Sequence, residues 1–332
     1  MAERSIIDQL DDAVTALLAQ REPVVSEPPG ELAELVAIAR ELRGLPSAQF
    51  RAALKEQLGG KENMSTAAKQ VEQSPQPESK PKSKSFKREG FHTVTPYIIA
   101  QPAVELVDFV KQAFGALESF RTTGSAGGLH CEVKIGDSVV MIGGGPTFDP
   151  RPVAIHLYVS DVDDVYARAL EAGATSLAAP SDQEYGERIA AVKDIGGNEW
   201  YIAKRFDQTP IPNLQTVTVY FHPMGAAKFI SFLERAFGAE VVERHQSEQG
   251  FVYHAKVRLG DSIVEMGEAH DQWQPMQSAI YMYVEDVDAL YRQALSAGAT
   301  SALEPTNQPY GGRSAWVNDE FGNVWYLSSR QG

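Results

Sequence analysis

The side chains best suited to chemistry in this sequence are tyrosines, histidines and a glutamate that fall at alternate positions of predicted β-strands. In one such strand Ile155 and Leu157 share a face, and His156 and Tyr158 occupy the opposite face. A strand of this kind packs helices on its aliphatic face and presents its polar face to a cleft. We therefore predict that a ligand-binding cleft is lined by the polar faces of the strands, which carry Tyr97, His130, His156, Tyr158, Tyr201, Tyr220, His254, Glu265, Tyr281 and Tyr326.

The composition of this cleft indicates the class of ligand. Inward tyrosine rings suit a flat, apolar molecule that carries a few polar groups. Arg188 and Arg313 recur in Tyr-Gly phrases just before a strand, where they would either hold an anionic ligand at the cleft mouth or lie on the surface beside a turn. We accordingly predict a small-molecule ligand that is aromatic or anionic.

The elements that must position these residues occur in two copies. The stretch from Ala154 to Ser176 returns from Ala279 to Ser301, and Gly136-Asp137-Ser138 returns as Gly260-Asp261-Ser262. Each copy reads twice as a strand, a helix and three strands, and a repeat this long indicates duplicated domains rather than a solenoid. The fold class is therefore α+β with four βαβββ modules, curved sheets and helices outside, and the two domains, which we expect to pair with each other, span residues 91–206 and 213–330.

The chain before the repeat falls into two segments. Residues 1–60 contain three amphipathic patterns of helical spacing, broken by proline and glycine, and are predicted to be a helical N-terminal region. Helices this short bury little surface alone, so we expect them to dock on the repeat or on a second copy, which would make a homo-oligomer. Residues 61–90 are rich in Lys, Ser, Gln, Glu and Pro and are predicted to be a disordered linker.

Composition and charge exclude several classes of function. The net charge of −14 argues against a nucleic acid or an anionic membrane as the partner. No apolar run is long enough for a membrane span, and the acidic N-terminus is unlike a signal peptide, so we predict a cytoplasmic protein. The single cysteine, Cys131, falls in a strand pattern and is predicted to be a buried thiol rather than a nucleophile.

Several phrases of the repeat resemble those of a known superfamily. They include Thr95-Pro96-Tyr97-Ile98, the run from His130 to Ser138, and the run from Asp319 to Trp325. Together with the paired βαβββ modules, they make residues 91–330 similar to the vicinal oxygen chelate superfamily, which contains glyoxalase I, bleomycin-resistance proteins and extradiol dioxygenases. The branch they resemble is the single-chain type associated with phosphonate operons. This resemblance implies two glyoxalase-like barrels arranged as a covalent pseudo-dimer.

The resemblance also implies a metal site, because enzymes of the superfamily hold a divalent ion with His and Glu from four strands and use it to activate substrate oxygens. Carried over to this chain, the four places are Thr95, Met141, Ala154 and Tyr201 in the first domain, and Thr218, Glu265, Ala279 and Tyr326 in the second. Only Glu265 is a suitable ligand, whereas a catalytic site needs about three. We therefore expect no metal in the first domain and keep Glu265 as a candidate ligand in the second.

Two rearrangements would restore a metal site, namely His156 with His130 and Glu132, or His254 with Glu265. The alternative is that these side chains are hydrogen-bonding groups of the cleft, with Glu265 paired to a nearby Lys or Arg. His222 precedes Pro223, where its strand must end, and is expected at the cleft rim.

The leading functional prediction is a glyoxalase- and bleomycin-resistance-type protein that binds a small molecule without a catalytic metal or other cofactor. Two further hypotheses remain. One is a metal-dependent lyase or dioxygenase that uses Glu265 in the second domain. The other is an interaction module that acts through the N-terminal helices.

Overall fold

A computed structural model of the chain describes residues 85–124, 127–207, 209–309 and 311–330. The helical region predicted over residues 1–60 and most of the predicted linker lie outside the described residues. The part of the chain that is described forms sixteen strands and four helices. None of these helices is long and apolar enough to cross a membrane.

The elements follow the predicted order four times, and we number the βαβββ units modules 1 to 4. Module 1 contains β1 (Val94–Ala100), α1 (Ala103–Phe114), β2 (Leu117–Thr123), β3 (Leu129–Ile135) and β4 (Ser138–Gly144). Module 2 contains β5 (Ala154–Tyr158), α2 (Val162–Glu171), β6 (Thr175–Gln183), β7 (Glu187–Lys193) and β8 (Glu199–Arg205). Module 3 contains β9 (Val217–Phe221), α3 (Ala226–Phe237), β10 (Glu240–Gln246), β11 (Val252–Leu259) and β12 (Ser262–Met266). Module 4 contains β13 (Ala279–Tyr283), α4 (Val287–Ser296), β14 (Thr300–Asn307), β15 (Arg313–Asn318) and β16 (Val324–Ser329). The predicted α+β class with tandem modules is confirmed.

Each helix has at least one end at which the local sequence supplies a cap. The first helix, α1, buries Leu106 and Val110 and ends at Gly115, whose φ of 66° lies in the left-handed region that favours glycine. The next helix, α2, begins after Asp161, whose side chain accepts a hydrogen bond from the backbone N–H of Asp164 at 3.1 Å. Each helix therefore has a defined length and a single apolar face for the sheets.

The strands form two eight-stranded sheets. Sheet 1 has the order β14-β15-β16-β13-β1-β4-β3-β2, and sheet 2 has the order β10-β11-β12-β9-β5-β8-β7-β6. Sheet 1 thus combines modules 1 and 4, whereas sheet 2 combines modules 2 and 3. The first strands of the paired modules meet antiparallel at the centre, with Thr95 opposite Tyr281 in sheet 1 and His156 opposite Thr218 in sheet 2.

This pairing corrects the expected organisation of the two domains. We expected residues 91–206 and 213–330 to form one barrel each, but every sheet takes one module from each half. The first strand of a module would otherwise leave an open edge, and pairing with the same strand of another module removes that edge. The helices do follow the halves, since α1 packs on α2 and α3 packs on α4. Both sheets therefore join the two halves of the repeat.

The repeated Gly-Asp-Ser phrases also join the two sheets. Asp137, in the β3–β4 hairpin of sheet 1, accepts a hydrogen bond from the backbone N–H of Thr216 at 2.8 Å. Asp261, in the equivalent hairpin of sheet 2, accepts one from the backbone N–H of Thr93 at 2.7 Å. The glycine before each aspartate has a positive φ, and a Cβ there would collide with the facing threonine. The predicted hairpin phrases are thus structural contacts between the two sheets.

The last six residues of the predicted linker, 85–90, contact the folded part of the chain. Lys87 forms an ion pair with Asp261, and Arg88 forms one with Glu132. Because Glu132 is only 2% exposed, the guanidinium neutralises a buried carboxylate rather than a surface charge. The prediction of a disordered linker therefore does not hold for these residues.

Candidate functional site

The predicted cleft residues gather on the inner faces of the two sheets, opposite the helices. On sheet 2, Glu265 in β12 lies opposite Tyr220 in β9, and Tyr220 lies opposite Ala154 in β5. Because β9 belongs to module 3 and β5 to module 2, this inner face draws side chains from both halves of the repeat.

Glu265 is the centre of a hydrogen-bonded cluster. Its side chain is fully buried, and its Oε2 atom lies 3.1 Å from Nδ1 of His156 and 2.9 Å from Nε2 of His254. The hydroxyl of Tyr158 donates a hydrogen bond to Oε1 at 2.9 Å. A buried carboxylate is costly unless it is paired and hydrogen-bonded, and this arrangement satisfies both of its oxygens.

The charges of this cluster stabilise one another. Burial acts to raise the pKa of Glu265, but the charge of His156 and the hydrogen bonds from His156 and His254 hold it well below 4.5. Burial acts to lower the pKa of His156, yet the charge of Glu265 raises it above 6.5. A protonated imidazole therefore faces an ionised carboxylate. The other ring nitrogen of His156, Nε2, has no hydrogen-bond partner among the described residues.

Aromatic rings surround this polar centre. Tyr201 lies between Tyr220 and Trp273, with ring centroids at 5.2 and 5.3 Å, and Trp273 stacks on His222 at 5.9 Å with 12° between the ring planes. Other apolar side chains pack against these rings while remaining partly exposed, namely Leu177, Ala178, Ile189 and Met276. A half-exposed apolar surface around a few buried polar groups is typical of a small-molecule site.

A second polar chain runs beside the Glu265 cluster. The hydroxyl of Tyr201 donates a hydrogen bond to Oε2 of Glu199 at 2.9 Å and lies 2.7 Å from Nε2 of His222. His222, expected at the rim, is only 8% exposed because Trp273 covers it. It also lines a cavity of about 300 Å³, together with Met224, Lys228, Met276 and Phe321.

The inner face of sheet 1 has the same framework but different polar groups. Met141 and Tyr281 stand where sheet 2 has its buried acid and its buried imidazole. The buried acid of sheet 1 is Glu132 on β3, which pairs with Arg88 and lies 3.5 Å from Nε2 of His130. The two faces are therefore related in backbone and distinct in chemistry.

The structure divides ten of the predicted site residues between the two inner faces. Sheet 2 brings together His156, Tyr158, Tyr201, Tyr220, His254 and Glu265. Sheet 1 brings together Tyr97, His130, Tyr281 and Tyr326. The sequence halves alone would have divided them differently, with Glu265 apart from His156.

Arg188 and Arg313 line neither inner face, contrary to the prediction of an anion-binding role at the cleft mouth. Arg188 pairs with Asp163 and Arg313 pairs with Asp288, and both acids lie in the first turn of an outer helix. Strand alternation explains this direction. Glu187 points inward, 4.0 Å from an imidazole of the Glu265 cluster, so the neighbouring arginine points to the helices.

The residues present do not fit the divalent metal that the resemblance implies. His156 cannot join His130 and Glu132, which lie in the other sheet, although His254 does meet Glu265. No three His, Cys, Asp or Glu side chains in the described parts of the chain are grouped so that they could hold a metal ion.

Two residues of this site, Glu199 and Trp273, were not among the predicted ligand-binding residues. Glu199 precedes the fully buried Trp200 in β8, so strand alternation already indicated an inward side chain. Trp273 lies in the loop between β12 and β13, where no periodic pattern indicates what the ring covers.

Comparisons with known sequences and structures agree with this architecture. A sequence model of the Glyoxalase/Bleomycin resistance protein/Dioxygenase superfamily matches residues 224–327. An uncharacterized protein of Mycobacterium bovis is 33% identical over 135 residues, covering 37% of this chain and 89% of that protein. An uncharacterized protein of Mycobacterium tuberculosis has the same identity over the same length, with 79% of that protein covered.

Solved structures share the fold at low sequence identity. Glyoxalase I from Zea mays superimposes with a TM-score of 0.55 at 14% identity, covering 71% of this chain and 92% of that chain. A solved structure from Bacillus subtilis superimposes with a TM-score of 0.51 at 13% identity, covering 73% and 86%. The chain belongs to the Glyoxalase/Bleomycin resistance protein/Dioxygenase superfamily.

Proposed function

We propose that this protein binds a small aromatic molecule on the inner face of sheet 2 and does so without a divalent metal. The most direct support comes from the groups that surround Glu265. Its carboxylate is buried and hydrogen-bonded by His156, His254 and Tyr158, and half-exposed aromatic and aliphatic side chains flank it. An aromatic ligand would cover that apolar wall, and the partly exposed edges of Tyr158 and His254 would orient its polar groups.

The charges of this face favour an aromatic ligand over an anionic one. Three carboxylates lie on or beside it, those of Glu187, Glu199 and Glu265. Nearby lysines are engaged, since Lys193 lies 3.1 Å from Glu199 and Lys256 lies 3.5 Å from Glu243. Because Arg188 and Arg313 both lie on the outer face, they do not offset these carboxylates, and the carboxylates would repel an anionic ligand.

The test is a ligand screen on protein that has been dialysed against a chelator. Aromatic natural products and antibiotics would be added while thermal unfolding and tryptophan fluorescence are followed. A ligand at about 100 times its Kd stabilises the fold by about 2.7 kcal/mol, and we expect the same stabilisation with and without chelator treatment. A fluorescence change that disappears in Trp273→Phe would assign binding to sheet 2.

A pair of histidine variants provides the matched control. His254→Asn removes the partly exposed imidazole on Glu265 and should weaken ligand binding about tenfold. His245→Asn changes an exposed histidine on β10 of the same sheet and should leave binding unchanged. Equal effects of the two substitutions would contradict the proposed site.

A metal-dependent lyase or dioxygenase is the second candidate function. One observation favours it: Glu265 occupies the place of the superfamily's acid and meets two imidazoles. Elemental analysis of the purified protein, followed by titration with nickel, zinc and manganese, separates the candidates. One equivalent of metal that is lost in Glu265→Gln would replace the metal-free proposal by this one.

We also propose that the chain belongs to a particular branch of the superfamily and that its N-terminal segment binds a partner. The phrases shared with the phosphonate-operon branch support membership of that branch. The hypothesis of an interaction module concerns residues 1–60, outside the described residues, and deletion of that segment followed by measurement of the assembly state tests it.

A further inference from the structure

The starting point is the hydrogen-bonded chain from Glu199 through Tyr201 to His222. The Tyr201 hydroxyl lies 2.9 Å from Oε2 of Glu199 and 2.7 Å from Nε2 of His222. The other oxygen of the carboxylate, Oε1, faces Lys193 at 3.1 Å. All three members of the chain are at least nine-tenths buried.

The protons available in this chain determine which ring nitrogen of His222 is protonated. A tyrosine hydroxyl has one proton, and a carboxylate beside a lysine can only accept, so Tyr201 donates to Glu199. The second contact of the hydroxyl must then be a hydrogen bond that Nε2–H of His222 donates to it. In a neutral imidazole this leaves Nδ1 with a bare lone pair. Burial, with a smaller effect from His270, lowers the pKa of His222 to about 4, so the ring is neutral near pH 7.

That lone pair has no partner among the described residues. Nδ1 of His222 is buried and no polar atom of the described residues bonds to it. Buried polar groups are nearly always hydrogen-bonded, so an unpaired acceptor in a defined tautomer points to a group that binds there. His222 also lines the cavity of about 300 Å³, and Met276 lies both in that cavity and against the aromatic cluster of sheet 2.

Sheet 1 shows that this chain is not required by the fold. By the repeat, Ile99 corresponds to His222, and Val324 corresponds to Glu199. Tyr326 corresponds to Tyr201 and keeps its place in the sheet without an acid or an imidazole at those positions. The three-residue chain is therefore a feature of sheet 2, the sheet to which we assign ligand binding.

We infer that Nδ1 of His222 accepts a hydrogen bond from the bound molecule, and that the ligand is an aromatic compound with a hydroxyl or N–H donor, of the phenol class. This inference rests on the proposed function and names the group by which the ligand is selected. Tyr201 and Glu199 act as positioning residues, because they hold the imidazole in the tautomer whose lone pair is available.

The test compares phenol with anisole, its methyl ether, which has the same ring and no donor proton. Isothermal titration of the chelator-dialysed full chain should show phenol binding about tenfold more tightly than anisole. In His222→Phe the preference should vanish, while Ile99→Phe, at the corresponding place in sheet 1, should retain it. Long-range proton–nitrogen NMR spectra of the wild type give a second readout that needs no variant. Nδ1 of His222 should show the shift of an unprotonated nitrogen, and phenol but not anisole should move it.

The outcomes separate the inference from the proposed function. Equal binding of phenol and anisole, or a protonated Nδ1 in the free protein, overturns the role of His222 and leaves aromatic binding in place. Failure of phenol together with every aromatic compound of the screen overturns both. A preference for phenol that survives in His222→Phe also overturns the inference, because another acceptor would then be responsible.

Discussion

The inner faces of the two sheets are built from equivalent strands, yet they pair their buried acids with different partners. On sheet 2 the acid is Glu265 at the centre of the face, and its partners are His156 and His254 from the strands themselves. On sheet 1 the acid is Glu132, one strand further out, and its partners are Arg88 from the segment before β1 and, at 3.5 Å, His130 from its own strand.

This difference gives the two buried acids different surroundings. The Arg88 guanidinium lies 4.6 Å from the centre of the Phe91 ring and pairs with Glu132, so the chain's own side chains cover that acid in sheet 1. Counted back from Thr95 and Thr218, which correspond in the repeat, the place of Arg88 falls on Ile211 in the second half, and Ile211 cannot pair with an acid. The two inner faces therefore share a framework of strands and differ in how a buried acid is paired.

The largest loss of stability is expected when Glu265 of sheet 2 is replaced by methionine, the residue that sheet 1 has at the equivalent place, Met141. Glu265→Met removes the carboxylate that keeps His156 protonated and leaves the buried groups of His156 and Tyr158 without their acceptor, and breaking a buried pair costs about 3–5 kcal/mol of unfolding free energy. Adding His156→Tyr, as at Tyr281, removes the buried imidazole and should recover part of the loss. Urea denaturation measures both variants. An unfolding free energy of Glu265→Met within about 1 kcal/mol of the wild-type value would contradict a stabilising ion pair between Glu265 and His156.

The pH dependence of that stabilisation sharpens the comparison. The pKa of Glu265 is lowered, so its contribution is present above about pH 4.5 and is lost as the pH falls through the folded-state value. The pKa of His156 is raised, so its contribution is complete below about pH 6.5 and is lost as the pH rises through the folded-state value. The difference in stability between wild type and Glu265→Met should therefore be largest between these limits. A difference that does not vary from about pH 3 to pH 9 would show that the pair is not ionised.

A smaller effect is expected in sheet 1. Arg88→Met leaves Glu132 without its cation, but the guanidinium is 42% exposed and solvent screens the pair, so we expect a loss of about 1–2 kcal/mol. Ile211→Met, at the corresponding place in the second half, is the control and should change stability by less. Chemical denaturation of both variants tests the comparison. Equal losses would mean that the ion pair of sheet 1 contributes nothing beyond packing.

The smallest effect is expected at the arginines of the outer face. Arg188→Ala and Arg313→Ala remove surface pairs with Asp163 and Asp288 and should leave ligand affinity unchanged. Isothermal titration with a ligand from the screen would measure this directly. A loss of affinity in either variant would restore the anion-binding role that the Tyr-Gly-x-Arg phrases first indicated.

Much of the fold and part of the candidate site could be predicted because their signals are local. Strand alternation placed His156, Tyr158 and Tyr201 on inner faces, as the structure shows. The same rule puts Glu199 on the face of Tyr201 in β8 and, for β7, puts Arg188 on the outer face. The position of Trp273 over His222 could not be predicted, because Trp273 lies in a loop and a loop has no periodic pattern.

The repeat and its alternating pattern were enough to establish four βαβββ modules, their α+β class and the polar character of the inner faces, because each of these depends on neighbours in sequence. Only the tertiary structure decided which modules share a sheet. Any two open first-strand edges can pair, and no local signal chooses among them. That choice brings His156 to Glu265 across 109 positions of the chain and leaves His130 with Glu132 in the other sheet. The polar cluster on the inner face of sheet 2 exists because of it.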